Sequence, residues 1–200
     1  MKRIYLDIDD TLNTLSLDLL RFDGLDFNSY EEVGEWPWGY DIIGAIAELK
    51  GEPRMELVEY WQRLPRELWA ESTLAPDFDA ILGFCDDKVG LDNVIVATSP
   101  TKCPESLAGK LEWMMEHLPK ELHRQYSITP RKWSLGHDTG GVLIDDVQDN
   151  CVNFVTPVDG EPRGKAILVP RPWNFQRTMP IMECIQEQWE ILLDKETQWT

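Results

Sequence analysis

Ile4-Tyr5-Leu6-Asp7-Ile8-Asp9-Asp10-Thr11-Leu12-Asn13 is an apolar run that ends in two carboxylates one residue apart, followed by a threonine. The run predicts a short buried strand that delivers Asp7 rigidly to its carboxyl tip. The chain then turns, so Asp9 faces the same ligand from a different height. One carboxylate can attack phosphorus while the other handles the proton. The plainer alternative is a turn capped by its own aspartates.

Working outward, four more stretches read as short buried strands: Val94–Thr98, Tyr126–Ile128, Gly141–Asp145 and Lys165–Val169. Three of the five strands are apolar on both faces and end in a polar residue. That pattern fits a parallel sheet covered by helices on each side, with ligands at its carboxyl edge. Between them lie helical patterns. Pro104 opens one, with Leu107, Leu111, Met114 and Leu118 on a single face. Asp41 can cap another carrying Ile42, Ile43, Ile46 and Leu49. Pro76 begins one through Phe78, Ile81 and Leu82, and a last helix covers Ile181 to Leu193. The expected fold is therefore α/β, a Rossmann-like three-layer sandwich around a central parallel sheet.

The first two strands are separated by far more chain than a simple crossover needs. We read residues 14–90 as a small helical cap inserted after the first strand, and residues 1–13 and 91–200 as the core domain. Leu74-Ala75-Pro76 is where the chain turns back toward the sheet.

The 200 residues are 42% hydrophobic, enough for one substantial core. Met1-Lys2-Arg3 runs straight into a strand, and no apolar run approaches the roughly 18 residues needed to span a membrane. The four cysteines form no C-x-x-C pair and read as reduced thiols of a cytoplasmic protein. The net charge of −17 would repel a nucleic-acid polymer or an anionic membrane. A small phosphorylated partner remains open to it, and the chain is compatible with a homodimer.

Further chemistry falls at the predicted strand tips. Thr98-Ser99-Pro100 follows the second strand and offers hydroxyl and backbone donors to a phosphate oxygen. Thr129-Pro130-Arg131-Lys132 follows the third and offers a cation. Asp145-Asp146 closes the fourth. Asp7, Asp9, Asp145 and Asp146 gathered at one edge would repel one another unless a hard cation sat among them, and an all-oxygen ligand set favours Mg²⁺. Lys102 and Lys110 are rival cations near the second strand. Lys110 is expected to lie too far along its helix, and Lys102 to reach only the rim.

In this combination the sequence resembles the haloacid dehalogenase superfamily of phosphotransferases. The matching signatures are Asp7-Ile8-Asp9-Asp10-Thr11-Leu12, Val94-Ile95-Val96-Ala97-Thr98, Lys132 and Ile144-Asp145-Asp146. Within that superfamily it is similar to the 5'(3')-deoxyribonucleotidase branch. The cues are Thr98-Ser99-Pro100, the doubled aspartate, the helical insertion and a late Pro170-Arg171-Pro172-Trp173-Asn174. The resemblance implies that Asp7 attacks phosphorus and that Asp9 protonates the leaving alcohol, then activates water. It implies that Thr98 and Lys132 hold phosphoryl oxygens, with Ser99 a secondary contact. It also implies that Asp7, the main-chain carbonyl of Asp9 and the Asp145–Asp146 pair hold Mg²⁺, with Asp146 the favoured direct ligand. The linker from Lys132 to the fourth strand is longer than usual for that branch.

The cap should select the phosphate ester. Trp36, Trp38, Tyr40 and Trp69 are candidates for a wall against a nucleobase, since bases stack well on aromatic rings. The alternative is that these rings fill the cap's own core. Arg171 could meet a phosphate or base at the rim, or pair with an acidic neighbour. The expected activity is a Mg²⁺-dependent hydrolase, a phosphatase of the nucleotidase type acting on (deoxy)nucleoside monophosphates. The alternatives are a related phosphatase acting on another small phosphoester and a non-catalytic nucleotide-binding module.

Overall fold

A computed structural model describes residues 1–197, so residues 198–200 of the expected core domain lie outside the described part. The five expected strands all form: β1 Arg3–Leu6, β2 Val94–Thr98, β3 Tyr126–Ile128, β4 Gly141–Asp145 and β5 Lys165–Leu168. They make one parallel sheet in the order β3-β2-β1-β4-β5. Strand β1 is central, with Leu6 level with Val96 of β2 and with Ile144 of β4. The next residue along each strand therefore places Asp7 beside Asp145, and Thr98 one step beyond. The chain runs outward from β1 to β2 and β3, then crosses to β4 on the other side of β1 and on to β5, which makes the carboxyl end of β1 the crevice where open α/β sheets bind ligands.

Successive side chains of a strand point to opposite faces, and the two faces are covered differently. Ile4, Leu6, Val94, Val96, Val142, Ile144 and Ile167 bury against Phe78, Ile81, Trp113, Met114, Ile185 and Trp189. Tyr5, Ala97 and Leu143 bury against Phe154 on the other side. The architecture is thus an α/β three-layer sandwich, as the strand pattern predicts.

Six helices, α1 Leu15–Phe22, α2 Tyr30–Val33, α3 Ile42–Lys50, α4 Leu57–Gln62, α5 Glu67–Ala70 and α6 Phe78–Val89, separate β1 from β2. Asp41 caps α3, its Oδ1 accepting from the Gly44 N–H at 3.0 Å. Helices α1 to α5 enclose a core of their own, built on Leu15, Leu19, Leu20, Ile43, Ile46, Tyr60, Leu64 and Trp69. The chain leaves the sheet domain at Asn13 and comes back at Leu74, which bridge to each other, and Ala75 N–H donates to the Leu12 carbonyl. Helix α6 belongs to the sheet, since Phe78, Ile81, Leu82 and Cys85 join the main core. The cap thus ends near residue 76 rather than 90. Length alone does not reveal that the last helix of the insertion turns its apolar face to β1 and β2.

Helix α7, Pro104–His117, follows β2 with proline in its first turn. Its buried residues are Ser106, Gly109, Lys110, Trp113 and Met114, whereas Leu107 is exposed. The expected leucine face is therefore rotated. Trp113, Met114 and Leu118 bury in the main core, and Gly109 lets α5 approach closely. Helices α8, Gln148–Val155, and α9, Ile181–Thr197, complete the layers. No helix among the described residues is long and apolar enough to cross a membrane.

Candidate active site

Beyond β1 the chain coils tightly. The N–H groups of Thr11, Leu12 and Asn13 all converge on the Ile8 carbonyl, and Asp10 takes a left-handed φ of 54°, which a short polar side chain tolerates. Asp10 is buried and accepts from Ser16 N–H at 2.9 Å, Ser16 Oγ at 2.6 Å and the Tyr30 hydroxyl at 2.5 Å. It ties this turn to the cap. Nothing in its sequence position marks it apart from Asp7 and Asp9.

Asp7, Asp145 and Asp146 offer carboxylate oxygens within 4.8 Å of one another, all buried. Lys132 reaches between them, its Nζ 2.6 Å from Asp7 Oδ1 and 2.7 Å from Asp145 Oδ2. The long linker after Lys132 is a 3-10 helix over Lys132–His137, beside α8, and it keeps the lysine in reach. Asp145 also accepts from Val147 N–H at 2.9 Å and from the Asn150 amide at 3.0 and 3.1 Å. Asp146 Oδ2 accepts from Trp173 Nε1 at 2.9 Å, while Asp146 Oδ1 is buried with no hydrogen-bond partner.

The charges do not balance. Burial, opposed by Lys132 and reinforced by Asp145 and Asp9, pushes Asp7 up to about 7. Burial and then the negative charges of Asp145, Asp10 and Asp7 push Asp146 well above the usual carboxylate range. Burial would pull Lys132 down, but Asp145 and Asp7 more than offset it and hold its ammonium above the usual lysine range. An all-oxygen cluster with surplus negative charge and an orphaned carboxylate oxygen fits a hard divalent cation.

Lys110 contradicts its expectation. It is 1% exposed, its Nζ lies 2.5 Å from Asp9 Oδ2 and 3.2 Å from Thr98 Oγ1, and it also donates to the Ser99 carbonyl. The helix face that carries it is the buried one. Lys102 stays exposed. The Ser99 hydroxyl donates to the Thr129 carbonyl at 3.2 Å, so its proton is engaged by the neighbouring strand.

The aromatic candidates divide. Trp36 and Trp69 are buried in the cap cluster. Trp36 Nε1 donates to the Gly39 carbonyl at 2.7 Å. Trp69 fills core rather than forms a wall, whereas Trp36, though mostly buried, lines a cleft with Tyr30, Gly34 and Pro37. Trp38 is half-buried and donates to Glu48 at 2.7 Å. Tyr40 is 59% exposed. Tyr40 also meets Trp173 at 5.8 Å between centroids. Trp173, quoted only as part of a late motif, is thus a site residue that sequence reasoning passed over; its proline-rich turn carried the signal. Arg171 is buried rather than at the rim. It donates to the carbonyls of Asp10 and Pro170 and holds the turn after β1 against the turn after β5.

Two clefts of about 480 and 350 Å³ lie where the cap meets the Pro170–Arg177 segment, sharing Tyr30, Glu31, Pro172 and Arg177. Neither is lined by the acidic cluster. Compared with known proteins, the chain matches no protein-family model and no curated protein sequence.

Proposed function

We propose that this chain is a Mg²⁺-dependent phosphomonoesterase of the haloacid dehalogenase type that hydrolyses (deoxy)nucleoside monophosphates to nucleoside and phosphate. One observation carries the reading: Asp7, Asp145 and Asp146 meet at the carboxyl edge of adjacent strands with Lys132 between them. Asp7, the Asp9 carbonyl and Asp146 would hold Mg²⁺. The free Oδ1 of Asp146 and the fully engaged oxygens of Asp145 favour Asp146 as the direct ligand and Asp145 as its support. When bound, the cation would neutralise charge on the phosphoryl oxygens.

The chain's own residues supply the rest. Asp7 attacks phosphorus, and the ester oxygen leaves with a proton from Asp9. Water then hydrolyses the aspartyl-phosphate, with Asp9 taking the proton back. Lys132 holds Asp7 in line and, with Thr98 and Lys110, presents positive and polar groups to the phosphoryl oxygens. Tyr40 and Trp173 offer ring faces for a base at the mouth. The buried free thiols suit a reducing cytoplasm.

A second reading keeps the chemistry and takes another small phosphoester, and the burial of Trp69 favours it by removing one ring of the expected base wall. A turnover screen of nucleotides and sugar phosphates, with and without EDTA, decides between them. Hydrolysis of a nucleoside monophosphate that EDTA abolishes and Mg²⁺ restores is expected. Brisk turnover of a sugar phosphate with no nucleotide turnover overturns the substrate class. Asp7→Asn should abolish hydrolysis with folding retained, and normal rates in that variant would exclude the covalent route.

A further inference from the structure

The Pro170–Asn174 turn grips both sides of the acidic cluster. Arg171 Nε donates to the Asp10 carbonyl beside β1. Asn174 Nδ2 donates to the Asp146 carbonyl at 2.9 Å and to the Val169 carbonyl at 2.8 Å. These bonds fix backbone. Trp173 acts on a carboxylate, its Nε1 donating to Asp146 Oδ2 at 2.9 Å.

That bond has a directional consequence. An indole has one donor and no acceptor, so it holds this carboxylate only through an accepting oxygen, here Oδ2. The other oxygen, Asp146 Oδ1, is left buried and unpartnered, while Asp146 sits within ligand distance of Asp7 and Asp145. The ring cannot follow if the carboxylate rotates. It meets Tyr30 at 5.4 Å and 88°, Trp36 at 5.5 Å and 57°, and Tyr40 at 5.8 Å and 62°. Aromatic neighbours on the cap thus clamp the donor that sets the carboxylate.

We propose that Trp173 is a positioning residue for the divalent cation: its N–H locks the rotation of Asp146 and presents Oδ1 to the ion. The inference rests on the metal reading above and deepens it, by assigning part of the cation's affinity to a residue that does not ligate it. Groups that orient metal ligands typically account for about 10- to 100-fold in metal affinity.

The test is calorimetric titration of Mg²⁺, and of Mn²⁺ as a tighter-binding probe, into the full metal-stripped chain. Trp173→Phe keeps a ring in the cap cluster and deletes the donor. Its affinity should fall about tenfold or more, with melting in EDTA unchanged and Trp61→Phe, altered elsewhere in the cap, binding as wild type does. Should Trp173→Phe also melt early, benzothienylalanine at position 173 decides, since it preserves the bicyclic shape and lacks only the N–H; the same loss of affinity is expected of it. Affinity within twofold of wild type in a folded donor-less chain overturns the positioning role and leaves the metal reading standing. A wild-type chain that takes up neither cation overturns the metal reading itself.

Discussion

Lys110 sits mid-helix in a charged sequence, where a solvated side chain is the ordinary outcome. Its burial follows from what it meets: a carboxylate, a hydroxyl and a carbonyl around one ammonium. A buried lysine needs such partners, because an unpaired buried charge costs far more than the hydrophobic gain of covering its stem. Lys110→Met keeps the stem and deletes the charge. Under the proposed chemistry it should lower kcat on the order of 100-fold, the scale of removing one electrostatic donor to the transition state, as steady-state kinetics would read. The stability loss should stay below the roughly 3–5 kcal/mol of a fully buried broken pair, since Asp9 is 15% exposed at its side chain. Cys85 gives a pH prediction. Burial pushes its thiol up to about 12. The folded chain therefore keeps a proton that the unfolded chain releases near the usual thiol value of roughly 8.5. Its contribution to stability is whole below that value and is lost as pH rises toward 12. All four thiols are buried, so Ellman's reagent at pH 8 should label them only in denaturant.

At the scale of elements, the cap is held to the core by a close helix contact. A Cβ at Gly109 of α7 would lie 2.5 Å from the Arg66 carbonyl and 2.7 Å from Trp69 Cβ of α5. Trp113 Nε1 donates to the Ser72 carbonyl at 2.8 Å in the same seam, and Arg66 pairs with Glu112 across it. Gly109→Ala should therefore force α5 away and cost about 1–3 kcal/mol, the range for overpacking, measured by urea denaturation. An unchanged midpoint would mean the two helices can part freely. The same seam explains Trp69. Its value lies in packing under α7, and an aromatic residue in a short amphipathic helix reads identically whether its ring faces a ligand or a neighbouring helix.

For the whole molecule, the proposed cation has a thermodynamic consequence. A ligand that binds only the folded state stabilises it by about 2.7 kcal/mol at 100 times its Kd, and a chain of this size shifts its melting point by roughly 2–4 °C per kcal/mol. Mg²⁺ should thus raise the Tm by several degrees in differential scanning calorimetry, and Asp146→Asn should lose most of that shift. No shift in wild type at millimolar Mg²⁺ would leave the acidic cluster without its proposed occupant. The sheet was readable from the order of residues alone. Runs of aliphatic residues with acids at their ends state strand, direction and tip together, and a parallel sheet turns those tips to one edge, so Asp7, Thr98 and Asp145 were legible as neighbours. Packing in three dimensions set which lysines reach that edge, which tryptophans are core, where the cap ends and that Trp173 bonds Asp146. Those outcomes depend on how far each helix rotates about its axis as it packs. Contacts between residues distant in sequence set that rotation, and a local pattern of apolar spacing does not record them.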